Sequence, residues 1–160
     1  MSNNVEVMIA TEADLETLAD MHYLSGKRHR KACGMPKRVS SKEEMLAVVH
    51  SIFNNPKSVL FKAVCDGKIC GTLFLWVFES EEAKTWSKSL EIGHISEIFV
   101  YEEYRRQGIA TKMIAYIEEY LKAKGVYSLD LEVFAFNKEA QNFYNKEGFS
   151  EIKRYLHKDL

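Results

Sequence analysis

An Asp-Gly pair at positions 66–67 limits the possible folds more than any other stretch of this chain. It joins two runs rich in β-forming residues, 58–65 (SVLFKAVC) and 68–78 (KICGTLFLWVF). A two-residue Asp-Gly connection twists as paired strands twist, so the middle of the chain is an antiparallel hairpin. The flanking segments must then cover it. Residues 5–10 read as a short strand. Thr11 caps a helix with Asp14 three residues on, and Leu15, Leu18 and Met21 form its apolar stripe. The basic stretch 26–38 reads as a loop broken by Pro36. Ser40 or Ser41 caps a second helix that carries Met45, Leu46, Val48, Val49, Ile52 and Phe53 and stops at Asn54, Asn55 and Pro56.

Beyond the hairpin, 79–91 is a charged loop and 94–100 a strand. A helix over 108–124 puts Ile109, Met113, Ile114, Ile117 and Leu121 on one face, and Gly125 follows as its terminating glycine. Residues 128–136 alternate as a strand, 138–146 form a short helix, and 149–157 read as a last strand. The order β-α-α-β-β-β-α-β-α-β implies an α/β (α+β) fold in one domain over 1–160, with helices on both faces of a mixed sheet.

The charge is nearly balanced, 22 Lys+Arg against 23 Asp+Glu, so binding to nucleic acid through phosphate neutralisation is disfavoured. No run approaches the ~18 apolar residues of a membrane span. The start, MSNNVEVMIA, has no basic segment ahead of an apolar run, so the expected location is the cytoplasm. Cys33, Cys65 and Cys70 are odd in number and lack metal-ligand spacing, which reads as reduced thiols without a metal. His22 and His29 stand apart from other ligand types and read as core or surface residues.

The window 94–114 (HISEIFVYEEYRRQGIATKMI) carries the chemistry. A strand enters Arg105-Arg106-Gln107-Gly108-Ile109-Ala110 and continues as a helix. The first N–H groups of a helix have no intrahelical partner, and its dipole adds about half a positive charge there. Gly108 lets backbone approach a ligand, Ala110 keeps that approach open, and the two arginines add charge. The segment suits a phosphate or pyrophosphate. Neither a Walker Gly-Lys-Ser/Thr nor the three-glycine dinucleotide spacing is present.

Arg105-x-x-Gly108-x-Ala110 after a strand resembles the signature of the GNAT superfamily of N-acetyltransferases. A second segment, Asn137-Lys138-Glu139-Ala140-Gln141-Asn142-Phe143-Tyr144-Asn145-Lys146-Glu147-Gly148-Phe149, resembles that family's N-x-x-A-x-x-F-Y-x-x-x-G-F stretch at every named position. The resemblance implies a mixed, mostly antiparallel central sheet flanked by helices, and acetyl transfer from acetyl-coenzyme A to a primary amine of a small molecule, peptide or protein. A coenzyme A-binding module without turnover is the alternative.

It also implies roles for particular residues. Backbone of Ile98, Phe99 and Val100 would accompany the pantetheine arm in a groove between strands 94–100 and 128–136. Arg105, Arg106, Gln107, Gly108, Ile109, Ala110 and Thr111 would wrap the pyrophosphate. Asn137 would bond the arm, and Ala140 and Phe143 would line the groove. Tyr144 matches the family's general acid. For the base, strand alternation puts 94, 96, 98 and 100 on one face and 95, 97 and 99 on the other. The face of 98 and 100, where relatives often carry a glutamate, holds Ser96 and His94 here. The candidates are thus His94, Glu97 (if a bulge shifts the phase) or a water relay. The acceptor would be selected by the first two helices and the loop 79–91. Lys27, Arg28, Arg30, Lys31, Lys37 and Arg38 favour an anionic acceptor, whereas Glu79, Glu81 and Glu82 pull the other way. Homodimers are common in the family.

Overall fold

The structure is a computed structural model, and it describes residues 4–33 and 40–160. Five strands lie side by side in chain order: β1 Val5–Ile9, β2 Ser58–Cys65, β3 Lys68–Glu79, β4 Glu91–Val100 and β5 Leu129–Leu131. Neighbours are antiparallel from β1 to β4, and β5 runs parallel to β4. The hairpin forms as the Asp-Gly pair requires. Asp66 and Gly67 both take positive φ, 48° and 78°, the backbone of a type I′ turn.

Helices α1 (Leu15–Cys33), α2 (Lys42–Phe53), α3 (Ile109–Ala123) and α4 (Lys138–Lys146) complete the elements. Each face of the sheet has its own core. On one, Phe61, Leu73, Leu75 and Ile95 pack against Met113, Ile114, Ile117 and Leu121 of α3. On the other, Leu60 and Phe74 pack against Leu15, Leu18 and Ala19 of α1 and Val49 of α2. Strand alternation sorts these residues, since odd and even positions of β2 and β3 point to opposite faces.

The helix ends follow their local chemistry. Ser41, not Ser40, caps α2, and it exchanges hydrogen bonds with Glu44. Thr11 donates its N–H and hydroxyl to Asp14. Burial works against the Asp14 charge, yet Lys62 Nζ at 2.7 and 2.8 Å and the Thr11 donors outweigh it, holding the carboxyl below its ordinary range. Gly125 ends α3 at φ 76°, with Val126 N–H reaching back to Leu121 O.

Four expectations change. First, α1 runs through Gly26 to Cys33. Arg28, Arg30 and Lys31 are good helix formers and nothing among 26–33 breaks the helix; Pro36, Lys37 and Arg38 lie outside the described residues. Second, β4 begins at Glu91, and the loop before it contains a 3₁₀ turn at Ala83–Thr85. Third, β5 is three residues long; residues 132–136 leave the ladder. Fourth, residues 149–157 form no strand. Their apolar residues do not alternate, and a ladder needs an edge of matching length, whereas β5 offers three residues.

Candidate active site

The site begins where the sheet opens. β4 pairs with β5 only at Gly93–Leu129, His94–Asp130 and Ile95–Leu131. From Ser96 onward β4 stays paired with β3, as far as Val100 opposite Gly71, but has no β5 partner. One edge of residues 96–100 is thus without a strand beside it, which is what a peptide-like guest needs for strand pairing. This is the groove expected between 94–100 and 128–136, narrowed to the part beyond Ile95.

A bulge sits at that same point. Phe74 opposes Glu97 while Leu75 opposes Ile95, so Ser96 is an extra residue on β4. The phase of the strand changes there. His94 and Glu97 face Trp76 and Phe74, which share a side of β3; Ile95, Ile98 and Val100 face Leu75, Leu73 and Gly71 on the other. The simple alternation that grouped His94 with Ile98 and Val100 is therefore corrected, and Glu97 joins His94 on the α1 side. Trp76 Nε1 donates to the bulged Ser96 at 3.1 Å.

β4 ends in the turn that starts α3. Arg106 takes φ 63° and Gly108 φ 76°, two left-handed residues that curl the backbone before the helix. The first ladder bond of α3 is Lys112 N–H to Gly108 O, so the N–H groups of Ile109, Ala110 and Thr111 precede any intrahelical acceptor. A Cβ on Gly108 would meet nothing within 4 Å, so the space beside this backbone is open. Such a turn can hold a diphosphate. Arg105 braces it from inside: Nε donates to Val100 O at 3.0 Å and the guanidinium lies 5.6 Å from the Phe99 ring centroid. Burial, then the charge of Arg28, lowers its pKa. One carbonyl of the guest-pairing edge, that of Val100, is taken by this brace. Thr111 Oγ1 donates to Glu147 Oε1 at 2.6 Å, which sets a carboxylate beside the anion turn.

α4 supplies the groove's other side. Asn137 caps it, its side-chain oxygen accepting from Ala140 N–H at 3.2 Å. Gln141 Nε2 holds the 132–136 segment by the carbonyls of Phe134 and Ala135, at 2.9 and 3.0 Å. Ala140, Phe143 and Tyr144, spaced i, i+3 and i+4, share a helix face. The Tyr144 ring packs on Phe143 and Phe149, at 5.3 and 5.7 Å between centroids. Burial, reinforced by the negative charge of Glu97, pushes the Tyr144 phenol up to about 12. That phenol is a proton-bearing donor throughout the neutral range.

Two carboxylate–imidazole pairs occupy the α1 side of β4. Glu97 is only 10% exposed and both its oxygens accept: Ser25 Oγ donates to Oε1 at 2.8 Å, and His22 Nδ1 is 2.9 Å from Oε2. His94 Nδ1 is 2.6 Å from Asp130 Oδ1, at the end where β4 and β5 are still paired. Tyr144 and Glu97 thus come within electrostatic reach of each other, while His94 is tied to β5. His22, Ser25 and Asp130 did not stand out in the sequence. The one available signal was the i, i+3 spacing of His22 and Ser25 on α1, and it names no partner 70 residues away. The C-terminal part of α1 continues past the groove, with Arg28 3.3 Å from Glu139 of α4 and His29 5.6 Å from the Phe134 ring. Among the described residues no cluster of three or more His, Cys, Asp or Glu is placed to hold a metal, and no helix is long and apolar enough to cross a membrane.

The site thus combines a strand that opens from its neighbour, a glycine turn at a helix N-terminus and a tyrosine-bearing helix. The Acetyltransferase (GNAT) family model matches residues 26–149. The chain belongs to that family. It is 35% identical over 108 residues to an N-alpha-acetyltransferase of Sulfurisphaera tokodaii, covering 63% of this chain and 62% of that one. It is 30% identical over 118 residues to N-alpha-acetyltransferase 30 of Dictyostelium discoideum, covering 70% and 60%. The match thus spans less than two thirds of each of these relatives. Among solved structures, a mutant of the BH1408 protein of Bacillus halodurans superposes at a TM-score of 0.85 with 24% identity, over 97% of this chain and 99% of that one. The aminoglycoside N-acetyltransferase AAC(6')-Iy in complex with CoA superposes at 0.77 with 18% identity, over 100% and 97%. These two structural likenesses establish the fold.

Proposed function

We propose that residues 1–160 act as one domain that transfers the acetyl group of acetyl-coenzyme A to a primary amine. A single observation carries this reading: β4 leaves β5 after Ile95 and, past a 3₁₀ turn at Glu102–Tyr104, leads to the open Gly108 turn. That geometry suits a linear, peptide-like arm ending in a diphosphate. The backbone of Ile98, Phe99 and Val100 would pair with the arm. The turn 105–111 would take the diphosphate through its N–H groups, with Arg105 as brace. The free amide nitrogen of Asn137 would reach the arm, and Ala140 and Phe143 would line it.

Acetyl-coenzyme A supplies an activated thioester; the chain's residues manage protons around it. An ammonium has no lone pair, so a base must first take a proton, and Glu97 and His94 are the candidates. Tyr144 serves the departing sulfur. Its pKa of about 12 lies roughly 3–4 units above an ordinary thiol near ~8.5, so surrendering its proton outright would cost about 5 kcal/mol. Tyr144 therefore acts as a hydrogen-bond donor to the thiolate. When the base gains a proton, the Glu97 charge that raises the phenol is offset and the donor strengthens.

The N-alpha-acetyltransferase relatives favour a peptide α-amine as acceptor. Cys33, Cys65 and Cys70 are free, which fits the reduced thiols of a cytoplasmic enzyme. The test is a panel of amines with thiol release as readout: a short peptide with a free α-amino group, the same peptide with a free lysine only, kanamycin and spermidine. Acetyl-coenzyme A should raise the melting temperature, and one class of amine should turn over. Binding without turnover on any amine would favour the non-catalytic coenzyme-binding module; no binding would remove both readings.

A further inference from the structure

We propose that His22 on α1 is the group that takes the proton from the acceptor ammonium, and that Glu97 is the carboxylate that orients it. The inference rests on the acetyl-transfer reading above. It starts from the hydrogen bonds of Glu97. A base needs a lone pair that can face the amine; each Glu97 oxygen already accepts one hydrogen bond, from Ser25 Oγ at 2.8 Å and His22 Nδ1 at 2.9 Å, so Glu97 is held toward α1 by both partners. Protonating Glu97 would remove the charge that strengthens both bonds, in a site where its side chain is 10% exposed.

His22 has the opposite profile. A carboxylate facing Nδ1 fixes the hydrogen on that nitrogen and leaves the lone pair on Nε2, which has no partner among the described residues. The ring is 26% exposed, so protons can also leave to water. It is steadied against Phe74 at 5.6 Å between centroids. This is the logic of a carboxylate–histidine dyad: the acid sets tautomer and orientation and stabilises the imidazolium, while the imidazole exchanges the proton.

The other charged groups around it do not compete. From β3 the ring meets Phe74. β4 offers Glu97 and, three residues earlier, His94, which is tied to Asp130 of β5 at the closed end. α4 offers Tyr144, and the next turn of α1 carries Arg28, paired with Glu139. The same Glu97 charge that holds His22 reaches Tyr144 electrostatically.

The step balances. One ammonium proton passes to Nε2. The freed nitrogen pair forms the C–N bond as the C–S bond breaks. The second nitrogen proton goes to the sulfur, which Tyr144 holds by a hydrogen bond, and the first leaves Nε2 for water.

The test uses the amine from the panel that turns over. His22→Asn keeps a donor toward Glu97 but cannot accept a proton. It should lower kcat/KM at pH 7 by ~10²-fold or more and erase the acidic limb of the pH profile, with the acetyl-coenzyme A melting shift unchanged. His22→Ala should be partly rescued by added imidazole. Glu97→Gln should keep the limb and lower kcat/KM less than His22→Asn does, because the imidazole remains but loses its orienting carboxylate. A His22→Asn enzyme within threefold of wild type, or a limb lost in Glu97→Gln and kept in His22→Asn, would overturn the proposal in favour of Glu97. If the His22 variants do not fold, ¹H–¹⁵N spectra of the wild-type imidazole at pH 8 decide: hydrogen on Nδ1 supports the dyad and hydrogen on Nε2 overturns it. Absence of any acetyl-coenzyme A melting shift in the wild type would instead bring down the acetyl-transfer reading itself.

Discussion

The two ends of β4 behave differently although they belong to one strand. At the Gly93–Ile95 end, β4 is paired on both edges, Gly93 lies against Leu121 and Leu129, and His94 is bonded to Asp130 of the neighbouring strand. At the 96–100 end, after the bulge at Ser96, one edge is unpaired and the next turn exposes helix N–H groups. The closed end spends its side chains on packing. The open end keeps backbone donors and acceptors available and gathers Glu97, His22 and Tyr144. A single extra residue separates the two, and it also turns Glu97 toward α1.

Substitutions can break that contrast. The largest effect should come from Tyr144→Phe, which removes the donor beside the leaving sulfur: turnover should fall by ~10²-fold or more while the coenzyme melting shift persists. His94→Gln, at the closed end, should change turnover less than about threefold because His22, not His94, takes the proton; a loss equal to that of Tyr144→Phe would make His94 the base and erase the distinction. Glycine replacements give the next contrast. At Gly108 a valine puts a branched side chain at φ 76° and into the open space of the turn, so coenzyme affinity should drop by ~10-fold or more. At Gly93 an alanine would bring its Cβ within 2.6 Å of Leu121 Cδ1, costing about 1–3 kcal/mol in thermal unfolding with coenzyme affinity unchanged.

A pH profile sharpens the open end. Tyr144 is raised to about 12, so its protonated form persists to higher pH than an ordinary phenol near ~10 would allow. Turnover should show no falling limb from this phenol between pH 8 and 10, and Tyr144→Phe should leave the shape of the profile in that range unchanged. The smallest effect concerns Glu147, whose carboxylate bonds Thr111 at the start of α3. Glu147→Gln should tighten coenzyme binding a few-fold, measured by titration calorimetry at low salt, because a like charge leaves the anion turn.

Much of this was legible in the residues, and for physical reasons. The hairpin was readable because Asp66-Gly67 admits one turn geometry. The apolar face of α3 and its Gly125 cap were readable because helical periodicity and a left-handed glycine are local properties. The turn was readable from Gly108 and two arginines at a helix start, and the tyrosine-bearing segment from its resemblance to the family's N-x-x-A-x-x-F-Y-x-x-x-G-F stretch. Three features were not. The bulge at Ser96 depends on how β3 and β4 pair, so alternation counted along β4 alone placed Glu97 on the wrong face. The pairing of Glu97 with His22 and Ser25 joins β4 to α1 across 75 and 72 residues and leaves no local mark. Residues 149–157 form no strand because their apolar residues, Phe149, Ile152, Tyr155 and Leu156, do not alternate and the edge beside them, β5, is three residues long.

Amide hydrogen exchange with and without acetyl-coenzyme A tests the central contrast most directly. Saturating coenzyme should slow exchange at 98–100 and 106–111 and leave 92–95 unchanged, because only the open end of β4 and the turn after it have donors to give. Protection confined to 92–95, or absent from 106–111 at saturation, would contradict the account.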